Sequence, residues 1–185
     1  GDKFRPRDPV TRADFVKMLV LAAGLPQVVT VPATFSDVRQ STWFYNYVET
    51  AAHYGIVKGD AAGRFRPFEG LTREEMASMV MRALGDTTSA SAAFLTRFKD
   101  ADRVSSWAKD DVARAVARGI LTGTDQGFLF PSQAATRDQA AAVAWQVWQK
   151  RGRVTPPSAG GTPGALTAEV TVLAADRVRV SFSSP

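Results

Sequence analysis

Apolar and polar positions in this chain fall into three stretches that repeat one another. Val10 to Ala23 reads VTRADFVKMLVLAA, Leu71 to Leu84 reads LTREEMASMVMRAL, and Ala135 to Trp148 reads ATRDQAAAVAWQVW. In each, Thr-Arg and an acidic or small residue open a run whose apolar residues return every third or fourth place, the spacing of one helix face. Phe15, Met18, Leu19 and Leu21 to Ala22 make that stripe in the first copy, and Met76, Met79, Val80 and Leu84 in the second. Thr72 with Glu75 and Thr136 with Gln139 have capping-box spacing, in which two side chains satisfy orphan backbone donors at a helix start. Thr11 with Asp14 is a weaker version.

A second helical pattern precedes two of these stretches. From Trp43 to Tyr54, apolar residues at 44, 47, 48, 51 and 54 keep helical spacing, and Val112, Ala115 and Val116 do the same further on. Gly55 and Gly119 follow, where a helix commonly ends in a left-handed residue. A glycine-rich loop comes next, closed by Phe65-Arg66-Pro67 or Leu129-Phe130-Pro131. Upstream, Phe35-Ser36-Asp37 matches Phe98-Lys99-Asp100, and Trp43 matches Trp107. Asp37 and Asp100 read as side-chain caps for the turns that follow them, ahead of any ligand contact. The unit is helix, glycine loop, helix. Residues 1–25 match only its second half, whereas 33–85 and 96–150 are whole copies.

After Lys150 the pattern changes. Residues 151–164, RGRVTPPSAGGTPG, are a Pro/Gly linker with no capacity to build a core. Beyond it, Leu166 to Val172 and Arg177 to Phe182 alternate apolar and polar residues, a β-hairpin signature. Two strands alone are marginal in water, so residues 165–185 are expected to open an Ig-like β-sandwich domain that the sequence cuts off.

Composition narrows the chemistry. With 45% hydrophobic and 22% charged residues, the chain is an ordinary globular one rather than a disordered one. No apolar run approaches the roughly 18–20 residues that span a bilayer, so no membrane insertion is expected, and no signal peptide is visible at Gly1. The absence of cysteine excludes disulfide staples and thiolate metal sites. His53 stands alone, with no second His or Cys to make it a metal ligand or a convincing general base. Twenty-three Lys and Arg against eighteen Asp and Glu give a net charge of +5, which favours an anionic partner.

These residues carry a resemblance. FSDV, Trp43, GIVKG, GRFRP and TREE, then FKDA, Trp107, GILTG, GFLFP and TRDQ, resemble in order the motifs of the S-layer homology family. The resemblance covers Gly1 to about Lys150. It implies a mainly α fold, a pseudo-threefold helical bundle of repeats with the first one partial, that anchors exported proteins to the bacterial cell wall. The ligand it implies is an anionic secondary cell-wall polysaccharide, commonly pyruvylated, held in grooves between repeats, outside the cell at the wall or surface layer. No cofactor is implied.

The residue chemistry agrees with that expectation. Arg12, Arg73 and Arg137 each follow a capping Thr at the positive end of a helix, with unpaired backbone donors expected nearby. A planar guanidinium beside such a helix end suits a carboxylate. Gly59, Gly63 and Gly123 would let backbone approach a sugar closely. Trp43 and Trp107 could offer aromatic faces, although core packing is the stronger expectation for both. Asp37 and Asp100 complete the candidate set, with no metal-binding and no catalytic residue in it. Glu74 and Asp138 put negative charge beside the proposed anion sites, and Leu129 stands where the motif has Phe. The first copy lacks its leading helix and Trp, so the grooves around Arg73 and Arg137 rank first, with Arg73 ahead. Trp145 and Trp148 read as a buried helix face or an interface.

An enzyme is not expected: there is no nucleophile–base pair, and adjacent Glu74 and Glu75 point about 100° apart on a helix. Nucleic-acid binding lacks a concentrated basic stripe or aromatic-interleaved strand. The serious competitor is self-association in a surface lattice, because helical repeats bury faces against one another with or without a ligand.

Overall fold

A computed structural model describes residues 4–28, 32–150, 167–174 and 177–183. The chain divides into two compact units, residues 1–155 and 156–185. The first is helical: α1 (Arg12–Ala23), α2 (Tyr45–His53), α3 (Arg73–Ala83), α4 (Lys109–Ala117) and α5 (Arg137–Lys150), with short 3-10 turns at Ala92–Phe94 and Ala101–Arg103. In the second, β1 (Thr167–Ala174) pairs antiparallel with β2 (Arg177–Ser183). Two paired strands do not make a sandwich, and the expected linker over 151–164 lies outside the described residues.

Helix starts follow the capping chemistry. Thr72 accepts from the Glu75 N–H while Glu75 accepts from the Thr72 N–H, a complete capping box, and Thr11 accepts from the Asp14 N–H. Gly55 and Gly119 take φ of 67° and 68°, left-handed values that a Cβ would strain.

The three long helices α1, α3 and α5 meet through a closed ring of backbone hydrogen bonds just ahead of their caps. The Val10 N–H donates to the Ala135 carbonyl (2.9 Å), Ala135 to Leu71 (2.7 Å), and Leu71 to Val10 (3.1 Å). All three residues are buried, so the ring sits where water cannot compete. Around it, Ala13, Glu74 and Asp138 donate to the carbonyls of Pro67, Pro131 and Pro6. Each repeat therefore holds the next, and the third holds the first. Phe15, Leu19, Phe65, Leu71, Met76 and Leu129 are fully buried in the core that results. Leu21, expected on the buried stripe of α1, is instead 53% exposed.

Asp37 and Asp100 do cap, but not the turns that follow them. Asp37 accepts from the N–H groups of Phe65 and Arg66, both at 2.7 Å, and Asp100 from those of Leu129 and Phe130, both at 2.8 Å. Each carboxylate thus reaches across its own repeat to the Phe-x-Pro loop. That loop needs holding, because Arg66 and Phe130 lie at φ 61° and 51°, as does Arg5 at 47°. A left-handed non-glycine residue costs about 1–2 kcal/mol, and charge-assisted bonds to its own N–H offset that cost. Leu129 changes nothing in this arrangement; it is as buried as Phe65 and bonded the same way.

Candidate functional site

The Thr-Arg positions are inter-repeat rivets. The Arg12 Nε donates to the Phe65 carbonyl (2.9 Å), the Arg73 Nε to Leu129 (2.8 Å), and the Arg137 Nε to Phe4 (3.1 Å). Arg12 also pairs with Glu75 (2.7 Å), and Arg73 Nη2 reaches the Thr122 carbonyl (2.8 Å). Arg12 and Arg73 are buried, while Arg137 is half-exposed over the Phe4 ring. Burial lowers the pKa of both buried guanidinium groups, opposed by Glu75 at Arg12 and by Asp100 at Arg73. Both stay charged, since arginine does not deprotonate in proteins.

The unpaired helix-end donors expected beside these arginines are not there. The N–H groups of Arg12, Arg73 and Arg137 donate to the carbonyls of Glu69, Gln133 and Asp8. Nor does Glu74 crowd an anion site; it is buried and accepts from the N–H and hydroxyl of Ser105 (3.0 and 2.7 Å).

The glycines also have structural work. A Cβ on Gly59 would come within 2.9 Å of the Phe35 ring, and one on Gly123 within 2.4 Å of Phe98. Gly63 turns at φ 69°. The tryptophans leave the core altogether: Trp43 is 52% exposed and Trp107 55%. Both sit before the first turn of their helices, outside the apolar stripe that α2 and α4 bury. Trp145 and Trp148 are likewise exposed rather than buried.

Two of these features meet in one groove. A cavity of about 340 Å³ lies along the outer face of α3, flanked by the loop Lys58-Gly59-Asp60 on one side and Trp107 on the other, with Arg12 and Glu75 at its end. Four cations line it, Arg12, Lys58, Arg66 and Arg82, against two carboxylates, Asp60 and Glu75. Arg82 is tied to Asp111 (3.5 Å), and Arg66 to Glu69 (3.0 Å). Lys58 is exposed and has no ion-pair partner among the described residues. Two buried polar atoms in the lining, Ser78 Oγ and Arg66 Nε, have no hydrogen-bond partner among the described residues, although Arg66 Nε lies 3.8 Å from an Asp60 carboxylate oxygen. Buried polar groups are otherwise nearly always paired, which singles out the Ser78 hydroxyl in this lining.

The equivalent groove on α5 is smaller and carries fewer charged groups. It measures about 120 Å³ and includes Arg73, Thr122, Gln139, Ala142 and Gln146. These last four stand where the α3 groove has Lys58, Glu75, Ser78 and Arg82. Small-molecule sites usually need roughly 300 Å³ or more. Arg73, which sequence reasoning put first, lines the smaller of these two cavities. On α1 the matching position is Lys17, whose ammonium lies 5.3 Å over Trp43 and 5.6 Å over Tyr47. Trp43 is therefore occupied by a side chain of its own protein, whereas Trp107, 55% exposed, lines the cavity with Ser78. Lys58, Arg66, Ser78 and Arg82 were missed from sequence. Their signal was a difference between the copies, not a shared motif.

Comparison with known proteins agrees with the repeats. The S-layer homology domain matches residues 34–77 and 97–141. The repeats belong to the S-layer homology family. An exoglucanase XynX of Acetivibrio thermocellus is 35% identical over 150 residues, 80% of this chain and 14% of that protein. A surface-layer 125 kDa protein of Lysinibacillus sphaericus is 30% identical over 148 residues, 76% of this chain and 12% of that protein. The chain thus spans a small part of the relatives it matches. An undecaheme cytochrome from the S-layer of Carboxydothermus ferrireducens shares the fold, with a TM-score of 0.50 at 21% identity over 85% of this chain and 20% of that one. The S-layer homology module is a binding module that anchors surface proteins at the cell wall, outside the cell, in S-layer proteins and enzymes alike.

Proposed function

We propose that this module anchors its protein by holding an anionic residue of a secondary cell-wall polysaccharide, of the pyruvylated kind, in the α3 groove. The observation that carries the reading is the coincidence, in one cavity of about 340 Å³, of unpaired Lys58, the unsatisfied Ser78 hydroxyl and the exposed Trp107. A sugar carboxylate would take Lys58, and a ring hydroxyl or amide would satisfy Ser78. The apolar C–H face of the sugar would lie on Trp107. Arg12 holds the end of the groove in place and adds fixed positive charge in a low-dielectric setting. The polymer repeats, so modules joined in a lattice would gain avidity with one groove each.

The test is retention on purified cell-wall sacculi before and after acid removal of the polysaccharide. Retention should disappear with the polymer. Equal retention on stripped peptidoglycan would show that the glycan is not the ligand.

A further inference from the structure

One surface loop differs between the two whole repeats in all four of its charged positions. In the second repeat, Arg64 pairs with Asp60 and Arg66 with Glu69, both at 3.0 Å. The first repeat keeps an ionic version, with Arg5 3.7 Å from Asp8. In the third, Phe128 and Phe130 replace the two arginines, and Thr124 and Gln133 replace the two carboxylates. The two rings stack on each other, with centroids 5.3 Å apart and planes 16° from parallel.

The backbone of the loop does not require this exchange. Arg5, Arg66 and Phe130 are all left-handed, and Asp100 accepts from the Phe130 N–H as Asp37 accepts from that of Arg66. The core position between the two rings is filled by buried Leu129. A left-handed conformation is unfavourable for a bulky residue, and Phe130 still leaves 42% of its surface in water. The ring is presented rather than packed.

Positive charge borders the stack. The Lys99 ammonium lies 5.3 Å over Phe128, and the Arg97 guanidinium lies 4.8 Å over Phe98. Both cations are exposed, and neither has an ion-pair partner among the described residues.

The size of the patch decides what fits it. A large aromatic side chain carries about 150–250 Å² in all, so one ring 42% exposed and a second less exposed offer on the order of 150 Å². A stable protein interface takes about 800 Å² from each partner. The stack is too small for a protein partner or a second copy. It matches a single sugar ring, which has an apolar C–H face and a polar rim.

We propose that Phe130, braced by Phe128, is a stacking platform for one pyranose ring of the cell-wall glycan, separate from the α3 groove. The sugar's C–H face lies on the ring, its weakly positive hydrogens against the negative face of the π-system, while Arg97 and Lys99 draw an anionic chain toward the site. Neither Phe128 nor Phe130 lines the α3 cavity or the α5 one, so the platform is a second contact on the wall.

Phe130→Asn removes the ring, and Asn accepts a left-handed backbone, so this variant should fold with a melting point no lower than the parent's. Its affinity for intact sacculi should fall about tenfold, and Phe130→Trp should bind at least as well as the parent. The same titrations on sacculi stripped of polysaccharide by acid identify the sugar. A loss confined to intact sacculi assigns it to the polysaccharide, a loss that persists on stripped sacculi assigns it to peptidoglycan, and either supports the platform. Phe130→Asn should cost the same factor in the Lys58→Ala, Trp107→Ala background, so failure of the α3 groove would leave this result standing. A folded Phe130→Asn protein that binds both kinds of sacculi like the parent overturns the proposal. So does a parent dimer on size exclusion that Phe130→Asn dissociates, since a second copy would then be the occupant.

Discussion

Arg73→Ala separates a rivet from a ligand clamp. Arg73 is 8% exposed and donates from Nε to the Leu129 carbonyl and from Nη2 to the Thr122 carbonyl, both at 2.8 Å. Hydrogen bonds from a charged donor contribute about 1.5–3 kcal/mol each, and their loss leaves two carbonyls of another repeat unpaired. Relief from burying the charge returns part of that, for a net loss of about 2–4 kcal/mol. For a unit of this size, each kcal/mol moves the melting point by about 2–4 °C, so the variant should melt about 5–15 °C lower. Arg137 is more exposed, with one 3.1 Å bond and the Phe4 ring at 5.7 Å, so Arg137→Ala should lose only about 1 kcal/mol. Thermal unfolding followed by far-UV circular dichroism, beside sacculus binding of each variant, reads both effects. An Arg73→Ala protein that melts within about 2 °C of the parent yet no longer binds would refute the reasoning, because Arg73 would then serve the ligand alone.

Other outcomes follow from the same contacts. Gly123→Ala should lose more stability than Gly59→Ala, about 2–3 against about 1 kcal/mol by urea unfolding, since its Cβ would meet both Phe98 (2.4 Å) and the Phe128 carbonyl (2.9 Å). Glu75→Gln keeps an amide oxygen for the Thr72 N–H, as Gln139 does for Thr136, but removes the carboxylate facing Arg12. It should tighten glycan binding several-fold while lowering stability by about 1–2 kcal/mol, read by titration and urea unfolding. Asp60 is held below the usual carboxylate range, first by the Arg64 N–H and further by the Arg64 side chain and the Ala62 N–H. A carboxyl with a lowered folded pKa contributes fully above its unfolded value and loses that contribution as pH falls through the folded one. The melting point should therefore be flat from about pH 8 to 5 and fall below about pH 4, less steeply in Asp60→Asn.

Much of the fold was legible because the repeat announces its own punctuation. Thr11, Thr72 and Thr136 mark helix starts and Gly55 and Gly119 helix ends, and the structure places all of them there. What pattern could not show was which repeat each motif serves. Asp37 and Asp100 look like local caps because 28 residues of sequence separate Asp37 from Phe65, and only the fold closes that gap. Arg73 looks free for a ligand because nothing near it in sequence is its partner; the carbonyls it meets are 49 and 56 residues away. Trp43 and Trp107 were drawn toward the core by their apolar bulk, though each lies one step outside the buried stripe. The groove residues were hidden for the opposite reason. Lys58, Ser78 and Arg82 differ between copies, and a search for repeats attends to what stays the same.

The central claim is that the α3 groove does the anchoring, and the double variant Lys58→Ala, Trp107→Ala addresses it directly. Both side chains are exposed and neither takes part in the inter-repeat ring, so the melting point should stay within about 2 °C of the parent. Loss of one charge-assisted contact and one aromatic face should lower affinity for intact sacculi about a hundredfold or more, with the matching change Trp43→Ala nearly silent. A folded double variant that binds sacculi as tightly as the parent would contradict the account.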